Sequence, residues 1–332
     1  MSPTKEKKEY AAATMKDYQD RLRLRDQGKS SDDVVMNHFQ FEVYFHVITS
    51  SKGDGKVRDR MVERSIELLN EAFSGILLHN AEDCDGNTVS GIQTNITFTL
   101  KGITRTSNDD WYNLKRDDIT ATTEQNEALH RDGCKTLNIY TMTSDEFGGW
   151  ATDPVSNIIH ILLRFLLHFL FLIISVNFLN EIVKILCNPT SEIFIDGVWI
   201  NHKTLPKHCF QKRQTSLIHE VGHWVGLDHV FEGECGDYFG DGVKDTPHQK
   251  KIIGDCPVGS DTCEGIGVDS IHNYMAYTSS CCKHTFTDGQ VERMHALLER
   301  WRTDPYRPPN LFDDLYPFFD DEYDDFYYYH GD

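Results

Sequence analysis

The chain has 332 residues, 39% hydrophobic and 26% charged, which is enough apolar material for one large domain or two ordinary ones and excludes a disordered or collagen-like chain. Thirty-three basic residues against 52 acidic ones give a net charge of −19. Phosphate backbones need a basic surface, so this balance speaks against nucleic acid as a partner.

Residues 1–37 mix charges with little apolar periodicity and read as a flexible N-terminal extension. Its basic start is not followed by an apolar run, so no signal peptide is visible. At His38 the character changes. HFQFEVYFHVITS is β-branched and aromatic and stops at SKGDGK, which predicts a strand and a turn. Arg58 to Phe73 places Met61, Ile66, Leu68, Leu69, Ala72 and Phe73 at helical spacing. TNITFTL (Thr94–Leu100) and TLNIYTM (Thr136–Met142) read as further strands, with a short helix over Glu124–Arg131 between them. Strands and helices mixed in this order predict an α+β or α/β layer structure.

An anomaly follows. Val155 to Asn180 contains no Gly, Pro, Asp or Glu, and 14 of the 17 residues from Ile158 to Ile174 are apolar. His160, Arg164 and His168, spaced by four, would share one stripe of a helix. The length is at the lower limit for a membrane span, and a central Arg costs about 2.5–3.5 kcal/mol on insertion scales, so membrane association through residues 158–174 is disfavoured. Beyond it, IFIDGVWI (Ile193–Ile200) reads as a strand and Thr215–Leu227 as a helix stopped near Gly226. Residues 232–270 form a long loop rich in Gly, Asp, Pro and Cys. Thr287–Trp301 is an amphipathic helix with its N-cap at Thr287 or Asp288. Residues 303–332 form an acidic, aromatic tail that reads as disordered: positions 311–332 hold eight acids, nine aromatics and no Lys or Arg.

The chemistry is carried by HEVGHWVGLDH, His219 to His229. His219 and His223, four apart on a helix, point the same way, and two imidazoles so placed can hold one Zn²⁺ at roughly 2.0–2.1 Å. Glu220, between them, can reach a metal-bound water as general base. Gly226 can end the helix in a left-handed conformation and let the chain return His229 as third ligand. Three protein ligands leave a fourth position for water, as in a catalytic rather than a structural zinc site. About fifty residues on comes HNYMAY, His272–Tyr277.

With these two elements the sequence resembles the metzincin metalloproteases, closest to the pappalysin-like branch with its secreted microbial endopeptidases. The resemblance rests on HEVGHWVGLDHVFEG, GDGVKDTP, CPVGSDTCEG, DSIHNYMAYTSSCCKHTFTDGQVERM, YFHVITSSKGDGKV and DDWYNLKRDD. It covers Phe39 to Arg300 apart from two inserted stretches, about 78–93 and 155–190.

The resemblance implies an α+β metzincin catalytic domain over residues 38–302, a mixed sheet packed on helices with a zinc-binding helix and a Met-turn. Met275 would be the Met-turn residue beneath the metal, and Tyr277 would swing toward it to stabilise the tetrahedral oxyanion. Cysteine pairs Cys235–Cys263 and Cys256–Cys282 are implied. Cys281 could compete with Cys282, and Cys84, Cys134, Cys187 and Cys209 have no counterpart. Asp237, Asp241 and Asp245 could hold Ca²⁺. The implied activity is zinc-dependent hydrolysis of protein or peptide substrates, the peptide lying along an edge strand near Asp196–Ile200. Disulfides and the sequon Asn95-Ile-Thr97 point to secretion, with the start of this chain not its natural one.

Two departures stand out. Asp228 occupies a position where the family usually has Tyr or a similar residue, and would be either a support for a histidine or simply exposed. The 155–190 stretch, beside the cleft, raises an alternative: a catalytically inactive binding protein on the same scaffold. Its composition resembles translated non-coding sequence such as a retained intron. A transcript lacking the segment is then expected, and peptides from Ile158–Leu186 recovered from native protein would refute that origin.

Overall fold

The computed structural model describes residues 37–77, 82–152, 195–206, 215–236, 240–265, 267–299 and 302. The N-terminal extension, the 155–190 stretch, the acidic tail and residues Cys187, Cys209 and Asp237 lie outside these.

Five strands form one mixed sheet: β1 (Phe39–Thr49), β2 (Ile96–Ser107), β3 (Thr136–Met142), β4 (Gly149–Ala151) and β5 (Val198–Asn201), in the order β2-β1-β3-β5-β4. β1 pairs with β2 and β3, and β3 with β5, all in parallel. Among the described residues only β4 runs antiparallel in the sheet, on β5, at one edge. The register of β1 and β2 shifts between Val43 and Tyr44, where Lys101 is the extra residue.

One face of the sheet carries the main core. Helix α1 (Asp59–Ser74) crosses from β1 to β2 and buries Val62, Ile66, Leu69 and Phe73 against Phe41, Val43 and Phe45. Helices α4 (Ser216–Trp224) and α5 (Asp288–Leu298) add Leu217, Val221 and Trp224, and Val291, Met294 and Leu298. Thr287 caps α5 with Gln290 in a reciprocal pair. At full burial each such side chain contributes about 1.5–3 kcal/mol of transfer free energy, so this face supplies most of the apolar stabilisation.

The opposite face is smaller and aromatic, under α2 (Asp109–Tyr112) and α3 (Ile119–Leu129). Rings in register on four successive strands stack across it. His46 lies 4.7 Å from Tyr140, Tyr140 5.0 Å from Trp199, and Trp199 3.8 Å from Trp150. Directly opposed rings on a sheet are natural contact partners. The Trp199 indole N–H donates to Gln125 of α3 at 2.6 Å.

Residues 153–194 connect β4 to β5. On either side of that connection Ala151 pairs with Val198, and the Thr152 N–H donates to the Gly197 carbonyl at 3.1 Å. The hairpin register is therefore closed by residues outside the anomalous stretch. Asp196, just before β5, is buried and takes a two-point ion pair from Arg302, at 2.9 and 3.0 Å. The Arg302 guanidinium also lies 3.8 Å over the Trp224 ring, tying position 302 to the back of α4.

Disulfides join Cys235–Cys263 and Cys256–Cys282, the pairs the resemblance implies. A third joins Cys84 to Cys281. This corrects the expectation for both residues. Cys281 does not compete with Cys282, because Cys84 engages it from 197 residues away. No helix among the described residues is long and apolar enough to cross a membrane.

His46 sits fully buried between Thr104 Oγ1 (2.8 Å) and Asn138 Oδ1 (3.0 Å), and burial pushes its pKa down to about 4. The neutral ring is the folded form, whereas the unfolded chain takes up a proton near pH 6.5. Its contribution is therefore complete above about pH 6.5 and is lost as pH falls toward 4, by about 3 kcal/mol. Urea unfolding between pH 7.5 and 4.5 should show this loss, and His46→Gln should flatten it. An equally steep acid limb in the variant would contradict the assignment.

Candidate metal centre

Helix α4 carries His219, Glu220 and His223 across the core, and two backbone carbonyls set the direction of its rings. His219 Nδ1 lies 2.8 Å from the Tyr274 carbonyl and His223 Nδ1 2.7 Å from that of Leu227. A carbonyl only accepts, so each Nδ1 carries the proton and each Nε2 is left as a bare lone pair. Gly226, at φ +103°, turns the chain past the helix end, and its N–H donates to the His223 carbonyl. The return brings His229 back. The Nε2 of His223 then stands 3.2 Å from the Nε2 atoms of both His219 and His229.

That spacing tests the fit of a metal. Two nitrogens at about 2.05 Å from one tetrahedral ion would lie about 3.3 Å apart. Lone pairs at this distance repel each other unless a cation sits between them. The three histidines together form one of the candidate metal-holding groups among the described residues. Burial keeps the rings in the neutral, ligating form: His219 is held well below its usual pKa and His229 is pushed down to about 3. The other candidate group, Cys256, His272 and Cys282, has its two sulfurs joined in a disulfide.

Glu220 is buried, and its side chain packs against Gly149 of the edge strand. A Cβ at Gly149 would stand 2.8 Å from Glu220 Cγ and 2.7 Å from the Trp199 carbonyl, so the strand approaches the helix only as glycine. Desolvation pushes the Glu220 pKa up to about 8, while Arg116 and Lys283 pull it down. Met275 is fully buried beneath α4, against the bare backbone of Gly222. Tyr277, two residues on, lies with its ring 4.8 Å from His229 and 5.4 Å from His219.

Four sequence readings meet the structure here. First, Val198–Asn201 is not an edge strand: β4 covers it, and Gly149–Ala151 is the edge. The three-residue GWA gave no strand periodicity to read. Second, Asp228 is exposed, one of its two readings, and it pairs with an arginine. Its Oδ2 accepts from Arg293 Nη2 at 2.8 Å, while Arg293 Nε holds the Gly226 carbonyl at 2.8 Å. Third, Asp245 caps α5, accepting from Thr287 Oγ1 (2.7 Å) and the Gly289 N–H (2.9 Å). Fourth, Asp241 is buried and bound to Thr246 Oγ1 (2.6 Å) and the Val243 N–H. These two carboxylates hold separate parts of the chain. Sequence reading also passed over Lys283, a buried ammonium whose Nζ donates to the Ala276 carbonyl at 3.3 Å. A lysine carries no motif.

Known proteins resemble this chain in sequence and in fold. The peptidase family model described as pregnancy-associated plasma protein-A matches residues 190–299. An extracellular metalloprotease of Verticillium alfalfae is 33% identical over 269 residues, 78% of this chain and 76% of that one. Extracellular metalloprotease 1 of Coccidioides posadasii is 30% identical over 271 residues, 79% of this chain and 78% of its own. Among solved structures, mature mirolysin of Tannerella forsythia in complex with a cleaved peptide aligns with a TM-score of 0.56 at 24% identity, over 83% of this chain and 97% of that chain. This last likeness is one of fold.

Gly226→Ala tests the turn that delivers His229. A side chain there is strained by the positive φ, and its Cβ would meet Leu297 Cδ1 at 2.2 Å. The expected cost is about 2–5 kcal/mol, with weakened metal binding. Adding Leu297→Ala should remove the clash and leave the backbone strain, so metal affinity should stay low. Wild-type stability and metal affinity in Gly226→Ala would sink this account.

Proposed function

The chain belongs to the pappalysin-like metalloproteases of the metzincin group, and on that premise we propose that it is a secreted zinc endopeptidase with Glu220 as its general base. The observation that carries the reading is the convergence of three histidines, His223 Nε2 standing 3.2 Å from the Nε2 atoms of both His219 and His229, with two of the rings fixed by backbone carbonyls. His219, His223 and His229 would hold the ion. Zinc bound there supplies a Lewis acid that polarises a peptide carbonyl and lowers the pKa of water.

The remaining work falls to the chain's own groups. Among the described residues β4 is the edge strand, and an extended peptide would add along its outer side as a further strand beside Glu220. The Glu220 carboxylate takes a proton from the attacking water and returns it to the leaving amide nitrogen. Positive charge at the three rings draws Glu220 toward the ionised form that a base needs, the direction in which Arg116 and Lys283 already pull. The Tyr277 hydroxyl donates to the carbonyl oxygen as negative charge develops on it. Met275 fills the floor under α4 and ligates nothing.

The inactive-scaffold alternative loses ground on two counts. All three histidines and Glu220 are assembled, and the β4–β5 register closes across residues 153–194. Relatives described as extracellular, together with three disulfides, favour secretion.

Purified protein should contain one zinc per chain and hydrolyse casein. A chelator should abolish turnover and added zinc restore it. Glu220→Ala should keep the metal and lose about 10²- to 10⁴-fold in kcat. An active Glu220→Ala protein would refute the mechanism, and chelator-resistant hydrolysis would refute the metal.

A further inference from the structure

The chain as a whole is strongly acidic, yet the side chains around the metal centre include three cations. Lys251, exposed, has its Nζ 4.6 Å from the centroid of the Tyr277 ring and 5.7 Å from that of Phe231. Lys283 is buried behind it, its Nζ on the Ala276 carbonyl between Met275 and Tyr277. Arg116, exposed, completes the set: its charge is felt at Glu220, His229 and Tyr277. The charges of Lys283 and Lys251 reach His229, and that of Lys283 reaches His219 and Glu220 as well. Among the described residues the acids Glu220 and Glu232 join them, Glu232 exposed and 4.0 Å from His229 Nδ1.

We propose that this protease selects peptides with Asp or Glu within two residues of the scissile bond, read by the exposed Lys251 and by the buried charge of Lys283 behind Tyr277. The inference rests on the protease reading above and adds its substrate class.

Range decides between the two opposing fields. The net −19 of the chain repels acidic peptides at a distance, but physiological salt screens exposed charges beyond about 8 Å. A bound peptide lies inside that distance of Lys251. Lys283, out of water, is screened far less, and its field acts through a medium of low dielectric. A Lys or Arg in the same substrate position would face both cations and the metal. Complementary charge so placed sets specificity more than overall affinity.

The test uses zinc-loaded protein and a quenched fluorescent peptide series that differs only in carrying Glu, Gln or Lys at each position up to three residues either side of the bond. At one or more positions Glu should exceed Gln by roughly tenfold in kcat/KM and Lys should fall below Gln, the gap narrowing as salt rises. Lys251→Glu should reduce or reverse the preference while casein hydrolysis persists. Lys283→Met, which keeps the bulk and drops the charge, should weaken it without restoring Lys. Should Lys283→Met fail to fold, the peptide series and Lys251→Glu still decide. Equal kcat/KM for Glu, Gln and Lys at every position, with casein cleaved normally, would overturn the inference and leave the protease standing. No hydrolysis of casein or peptides by the zinc-loaded protein would overturn the protease reading itself, and the inference with it.

Discussion

Two backbone carbonyls, those of Tyr274 and Leu227, decide which faces His219 and His223 present, and much of the remaining architecture serves to bring those carbonyls into place. An imidazole left to itself can offer either nitrogen. Once Nδ1 is committed as donor to a carbonyl, Nε2 is bare and its direction is fixed. The bare nitrogens of His219 and His223 stand 3.2 Å apart, with His229 Nε2 at the same distance from His223 Nε2, a crowding that a cation between the rings would relieve.

The carbonyls are held by packing. Tyr274 belongs to the turn around Met275, which nests under Gly222 and is pinned by the Asn273–Gln290 pair to the start of α5. Leu227 follows the Gly226 turn, whose carbonyl is fixed by Arg293 from the same helix. Helix α5, although it contributes no ligand, thus positions both supports. Two of the disulfides converge on the adjacent residues Cys281 and Cys282, just beyond the Met-turn. They restrict the unfolded chain most where the site needs order.

The sheet supplies the other half of the site. Its aromatic face stacks four rings from β1 to β4, and this holds the short edge strand in register where three residues of backbone pairing would be marginal. Glycine at 149 then lets that strand meet Glu220 directly, so the base and the strand proposed to receive substrate are placed by one contact.

From sequence alone came the elements whose signal is local: the alternating β1, the amphipathic α1 and α5 with a cap at Thr287 or Asp288, the His-Glu-His spacing, and Gly226 with His229 beyond it. Helical periodicity puts His219 and His223 on one face wherever the helix lies, so their convergence was legible early. What tertiary structure decided was every relation between distant segments. Cys84 met Cys281 across 197 residues, Asp228 met Arg293 across the core, and Gly149–Ala151 proved to be the edge in place of Val198–Asn201. Lys283 became a charge at the site only when its buried position beside Ala276 was known. Spacing along a helix is written in one stretch of chain, whereas a strand's place in a sheet, a disulfide partner and the sign of the field in a cleft depend on which surfaces the whole chain brings together.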